Sequence, residues 1–307
     1  MGTPDFAVAT LSALVDAGYN VVGVITAPDR PAGRGRKMQA SVVKEYALQQ
    51  GLSLLQPTNL KDTTFLDALR SLNGNLQIVV AFRMLPKAVW AMPEFGTFNL
   101  HASLLPNYRG AAPINWAIIN GETKTGVTTF FIDAHIDTGE IILQEETTIA
   151  DNDTAGTLHD RLMHLGAATV LETVELIKHN RVEPHKQAGD AALKKAPKIY
   201  NETCKIDWSA EIDTIYDHIR GLSPYPAAWS NLINGTQTMF VKIYKSTKFK
   251  ETHGHPIGQI LIDKREMKVA VKGGYLILLE IQLPGKRKMP VKEVLNGLKL
   301  EETAHMA

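Results

Sequence analysis

The 307-residue chain holds a single cysteine, Cys204. That excludes an intrachain disulfide and a cysteine-rich zinc cluster. Long apolar runs are also lacking, and none reaches the ~18 residues that a membrane span needs. Residues Gly2 to Phe6 are polar and turn-like, unlike the start of a secretory signal. Together these absences give a cytoplasmic reading. No G-x-G-x-x-G is present, which disfavours a nicotinamide dinucleotide site. An excess of one charge is missing too: 33 Lys and Arg against 32 Asp and Glu leave +1. The balance hides an asymmetry, because the stretch from Lys205 onward carries 15 basic and 11 acidic residues. A basic C-terminal third points to a polyanionic partner.

What is present suggests two domains, since the length exceeds a usual single core. Asn20–Thr26 and Leu76–Phe82 are continuous apolar runs, the pattern of strands buried on both faces. Helical spacing marks Asp5–Ala17, Ser41–Gly51, Thr63–Leu72, Ala112–Ile119 and the long stretch Thr154–Lys178. Gly126–Phe131 alternates as a strand, and Ile141–Gln144 resumes the sheet. This alternation predicts an α/β domain with a Rossmann-like, mostly parallel sheet over residues 1–180. Its opening is unusual. Gly2-Thr3-Pro4 reads as the loop that normally follows a buried strand, and no strand precedes it. Either the sheet lacks its first strand or another segment fills the slot.

Residues 181–203 are rich in Lys, Ala, Gln and Pro without periodicity and read as a linker. From 204 to 307 a helix signal over Trp208–Arg220 precedes short alternating strands at Met239–Tyr244, Gly258–Ile262, Lys268–Val271 and Tyr275–Leu283. That pattern predicts a small OB-like antiparallel β-barrel, an architecture that often binds nucleic acid. The loop from Ala27 to Gln39 places Arg30, Arg34, Arg36 and Lys37 among Pro and Gly residues, a composition able to mould itself to phosphates.

The chemistry concentrates in Thr97–Gly110. Strand alternation puts Phe98 and Leu100 on one face and Asn99 and His101 on the other, at a strand end where α/β sheets bind ligands. Asp137 follows in the polar turn Asp133–Gly139. An amide donor for a developing oxyanion, an imidazole proton shuttle and an orienting carboxylate are the parts needed to move an acyl group. His135 lies nearby but off the strand.

The run Phe98–Gly110, with Gly121-Glu122, Gly126-Val127-Thr128 and Ile136–Gly139 in the same order, closely resembles the catalytic core of the folate-dependent formyltransferases. The resemblance covers most of residues 1–200. Met1–Val8 and Pro28–Lys37 are similar to the branch of that family that acts on tRNA. It implies 10-formyltetrahydrofolate as formyl donor, the amino group of initiator methionyl-tRNA as acceptor, and no metal. It implies Asn99, His101 and Asp137 as catalytic residues. Folate contacts would come from Ser103, Leu104, Leu105 and Pro106 and from Arg83, Met84 and Leu85, although these leucines and Met84 suit a plain core equally. Arg34, Arg36, Lys37, Lys286, Arg287 and Lys288 would contact tRNA, and the protein is expected to be a monomer. Asn107-Tyr108 departs from the pattern, where relatives often carry a basic residue and Trp. Two rivals stay open, a sugar-nucleotide formyltransferase and a catalytically silent RNA-binding protein.

Overall fold

The computed structural model describes residues 1–32, 37–189 and 193–307. They divide into two compact units. One comprises Met1–Gly110, Thr125–Thr147 and His159–Lys195; the other Ala111–Lys124, Thr148–Leu158 and Ala196–Ala307. No helix among the described residues is long and apolar enough to cross a membrane.

The first part of the chain runs α1 (Asp5–Asp16), β1 (Val24–Ile25), β2 (Arg30–Ala32), β3 (Lys37–Gln39), α2 (Val42–Gln49), β4 (Leu54–Leu55), α3 (Thr63–Ser71) and β5 (Gln77–Val80). It continues through α4 (Lys87–Trp90), β6 (Thr97–His101), β7 (Arg109–Gly110), α5 (Pro113–Ile119), β8 (Lys124–Phe131), β9 (Ile141–Thr148) and α6 (Ala155–Lys178). Two helices start on side-chain caps: Ser41 Oγ accepts from the Lys44 amide at 3.1 Å and an Asp62 carboxylate oxygen from the Phe65 amide at 3.2 Å. β1 pairs parallel with β4 and β5 parallel with β6, whereas β6 meets β8 antiparallel. The expected Rossmann-like sheet is therefore found. Leu100 of β6 lies against Gly166 of α6, and Thr129 of β8 shares a hydroxyl bond of 2.8 Å with Thr173 of α6. With α6 on that side, strand alternation turns Asn99 and His101 to the opposite face. β8, expected to be half-buried, is buried on both faces from Thr125 to Phe130.

The slot of the first strand is partly filled. The Val24 and Thr26 amides donate to the Ser53 and Leu55 carbonyls at 2.8 and 3.1 Å. Alternate residues, Gly23 and Ile25, therefore turn their backbone groups toward β5. There the Gly2 amide donates to the Ile25 carbonyl at 3.0 Å, the Val80 amide to the Met1 carbonyl at 2.9 Å, and the Met1 amine to the Ile78 carbonyl at 2.7 Å. Glycine is needed here, because a Cβ on Gly2 would lie 2.3 Å from Ala7 Cβ and 2.8 Å from the Val80 oxygen. Beside it lies a cavity of about 770 Å³ lined by Val22, Gly23, Val24, Gln77, Ile78 and Val174 among others. The strand expected over Asn20–Thr26 is found only at Val24–Ile25.

Within the expected basic loop β2 and β3 pair antiparallel, Arg30 opposite Gln39 and Pro31 opposite Met38. Arg34 and Arg36 lie outside the described residues.

The chain continues with β10 (Lys195–Ala196), α7 (Ile212–Leu222), β11 (Ala228–Asn234), β12 (Gln237–Lys250), β13 (Ile260–Asp263), β14 (Glu266–Val271), β15 (Gly274–Gln282), β16 (Met289–Pro290), α8 (Val291–Val294) and β17 (His305–Met306). In the second unit the strands follow the order β13-β14-β15-β12-β11-β17, with β16 on β15. An antiparallel bridge between Gln259 and His305 joins the two ends, so the expected barrel is nearly closed. Irregular register at Ile243–Ser246 bends the long β12 around it. Helix α7 seals the interior with Ile212, Ile215 and Ile219, each fully or almost fully buried. It begins at Ile212 and not at Trp208, whose buried indole lies in a turn and donates to Ser230 Oγ of β11 at 2.8 Å.

His218 on α7 carries a testable consequence. Its Nε2 is buried with no hydrogen-bond partner among the described residues. Burial pushes its pKa below the ordinary 6.5, partly offset by a backbone hydrogen bond at Cys204. As pH falls through that value the unfolded chain gains a proton that the folded state resists, so stability drops on the acid side. Denaturant unfolding at pH 5.5 and 7.5 should show a smaller acid loss in His218→Leu than in the unaltered protein. Equal losses would contradict the assignment.

Candidate active site

His101 closes β6 with 6% of its surface exposed. Its Nε2 lies 2.9 Å from the Tyr108 carbonyl. A carbonyl only accepts, so Nε2 carries a proton and Nδ1 is left to face Asp137. The Nδ1 to Asp137 Oδ2 distance is 3.9 Å, within ion-pair reach and too long for a direct hydrogen bond. Both holders of the imidazole are left-handed: φ is +62° at Tyr108 and +56° at Asp137. That backbone costs a non-glycine residue about 1–2 kcal/mol and tends to persist at functional sites. One residue aims its carbonyl at the ring and the other its carboxylate.

The turn that delivers Asp137 is built from local bonds. Asp133 Oδ1 accepts from the His135 amide at 2.8 Å and from Thr138 Oγ1 at 2.9 Å. Across the site, the Gly110 amide donates to Asp137 Oδ2 at 3.0 Å. Gly139 ends the turn where only a hydrogen fits, since a Cβ there would fall 1.6 Å from the Phe131 oxygen. His135 is exposed and takes no part.

Asn99 is half-buried on β6, and its carboxamide has no hydrogen-bond partner among the described residues. Strand geometry places it beside His101 on the same face. Its two N–H donors are free for a ligand. The loop that follows is tightly held. Ser103 Oγ donates to the Asn107 carbonyl at 2.7 Å, and Thr128 Oγ1 donates to the Ser103 carbonyl at 2.6 Å. The same hydroxyl accepts from the Leu105 amide and from Gln144 Nε2 at 3.1 and 3.0 Å. Ser103 and Leu105 are buried, Leu105 against Phe130 and Ile141, which leaves Leu104 and Pro106 half-exposed. The Arg83 guanidinium donates to the Pro57 and Thr58 carbonyls, Met84 is 67% exposed, and Leu85 is core. In the second unit Lys286 and Arg287 are exposed, while Lys288 pairs with Glu280 at 3.0 Å and lies over the Tyr244 ring. Lys37 lies on β3. Sequence reasoning missed Tyr108, Gly110 and Gln187 as parts of this site; Tyr108 had a signal as a departure from the resembled pattern and Gly110 as the end of the resembled run, whereas Gln187 had none.

The site therefore offers an unpartnered amide, a proton-bearing imidazole and a carboxylate held by a backbone amide. Comparison with known proteins gives the frame. Residues 1–174 match the formyl transferase family model and residues 198–299 that of the formyl transferase C-terminal domain. The chain belongs to the formyltransferase family. It is 57% identical over 304 residues to the methionyl-tRNA formyltransferase of Flavobacterium johnsoniae, covering 99% of this chain and 96% of that protein. It is 56% identical to the Bacteroides thetaiotaomicron methionyl-tRNA formyltransferase, covering 98% and 95%. Among solved structures a sugar 3N-formyl transferase shares the fold at a TM-score of 0.66 and 23% identity, covering 93% of this chain and 97% of that one.

The close approach at Gly139 gives a direct check on the turn. Gly139→Ala forces backbone against backbone and should lower stability by roughly 3 kcal/mol or more. A denaturant midpoint unchanged in the variant would show that the turn is not built as described.

Proposed function

We propose that the protein transfers the formyl group of 10-formyltetrahydrofolate to the amino group of methionine carried by initiator tRNA. The observation that carries this reading is the 55–57% identity to several methionyl-tRNA formyltransferases across nearly the whole chain. The arrangement at His101 supplies chemistry to match. Asn99 donates to the oxygen on which charge develops as the amine attacks, and such a donor contributes about 3–4 kcal/mol in the transition state. The His101 imidazole, oriented by the Tyr108 carbonyl, adds positive charge and moves a proton toward the folate nitrogen. The Asp137 carboxylate, fixed by the Gly110 amide, takes the proton that the amine nitrogen sheds as it bonds to the formyl carbon.

In this reading residues 1–180 form the catalytic domain, 204–307 the tRNA-binding domain, and 181–203 connect them, the connection up to Lys195 lying within the first compact unit. The half-exposed Leu104 and Pro106 and the exposed Met84 suit an apolar wall for folate. Ser103, Leu105, Leu85 and Arg83 act on it through the loops they hold. Arg34, Arg36, Lys37, Lys286, Arg287 and Lys288 provide charge for tRNA phosphates. A monomer suffices, since the candidate residues and the groups that hold them come from one chain. The tRNA substrate implies a cytoplasmic setting.

Formyl transfer assayed with charged initiator tRNA and, in parallel, an amino-sugar nucleotide tests the reading. The tRNA should be the preferred acceptor. Asn99→Ala should lower kcat by about 10²–10³, and His101→Ala by about 10²–10⁴. Preference for the sugar would transfer the protein to the sugar enzymes. Equal rates for the unaltered protein and His101→Ala would leave only RNA binding.

A further inference from the structure

Gln187 lies in the aperiodic stretch after α6, outside every motif of the sequence. Two residues upstream His185 is pinned to the start of β9: the Ile141 amide donates to the His185 carbonyl at 2.9 Å and the His185 amide to the Ile141 carbonyl at 3.1 Å. This brings the Gln187 side chain onto the Asp137 turn. Its Nε2 donates to the Asp137 carbonyl at 3.0 Å and to the Gly139 carbonyl at 2.8 Å. Its Oε1 accepts from Arg109 Nε at 3.0 Å and Nη2 at 2.6 Å. A primary amide has two N–H donors and two acceptor lone pairs, and all four are used here. Only one orientation works. Flipped, the amide would set its oxygen against two carbonyls and its hydrogens against a guanidinium.

These partners belong to the acid–base machinery. The two carbonyls flank Thr138 and belong to a turn whose Asp137 is held at φ +56°. Arg109 immediately precedes Gly110, whose amide fixes the Asp137 carboxylate. One side chain therefore ties together the backbone that aims the carboxylate and the strand that receives it. We propose that Gln187 is a positioning residue for Asp137 in formyl transfer, keeping the carboxylate in register with His101. This rests on the function proposed above.

Gln187→Glu separates positioning from mere packing. Glutamate keeps an acceptor for Arg109 but puts its second oxygen against the two turn carbonyls, whereas Gln187→Leu removes both sets of bonds. In the full chain, with tRNA and folate saturating, both variants should lower kcat by about 10–100-fold with KM within about twofold. In an Asp137→Asn background the same changes should cost less than about twofold, because the group being positioned no longer acts. A substrate-free reading accompanies the kinetics: the Gly110 amide proton, bonded to the carboxylate, should exchange at least about tenfold faster in either variant. Gln187→Glu at the unaltered kcat, a full-sized loss in the Asp137→Asn background, or unchanged protection of Gly110 would each overturn the assignment. If Gln187→Leu does not fold, Gln187→Glu alone decides. If the unaltered protein does not formylate tRNA, the functional reading fails while the exchange measurement still judges Gln187.

Discussion

A hydrogen bond of 3.0 Å from the Gly110 amide to Asp137 Oδ2 joins the two halves of the site. On one side of it stands the strand that ends in His101, and on the other a turn that arrives from β8. Neither half places a carboxylate beside an imidazole by itself. The cost of the arrangement is visible in the backbone, where Tyr108 and Asp137 both occupy left-handed conformations. What offsets that cost is bonding to groups that cannot move far: the Asp133 cap, the close approach at Gly139, the Gln187 amide, and the Thr128 hydroxyl with its three partners. The chemistry follows from this rigidity, because donors preorganised around a reacting centre need no rearrangement during the reaction.

Beneath the site the sheet is built from partners distant in sequence. Met1 and Gly2 bridge β1 and β5, and β5, β6, β8 and β9 form a continuous sheet. His101 ends β6 and Asp137 lies in the turn between β8 and β9, so both are carried by that sheet.

Much of this was legible in the sequence, for reasons that differ by element. β6 was readable because its alternation separates Phe98 and Leu100 from Asn99 and His101. Buried strands such as Gln77–Val80 and helices such as Thr63–Ser71 were readable because periodicity and caps are local signals. The barrel strands β12 to β15 followed from their alternation and glycine turns, whereas β11 (Ala228–Asn234) was not anticipated. The shortening of β1 to Val24–Ile25 was not readable, since its extent is set by pairing with the distant β4. Burial of β8 on both faces was hidden by its threonines, which satisfy their hydroxyls with Ser103, Leu105 and Thr173. Gln187 was invisible because its partners lie 48 to 78 residues away in sequence. Of the candidate contacts, Ser103, Leu105 and Arg83 have polar groups or surface committed inside the protein, a distinction that residue type alone does not reveal.

The central claim is that Asn99, His101 and Asp137 address a single reacting carbon. A crystal structure with 5-formyltetrahydrofolate, a stable isomer of the donor, tests it most directly. The account predicts the pteridine ring beside Leu104 and Pro106 and the formyl-bearing edge within about 3 Å of Asn99 Nδ2 or His101. A folate bound with that edge remote from both residues would contradict it.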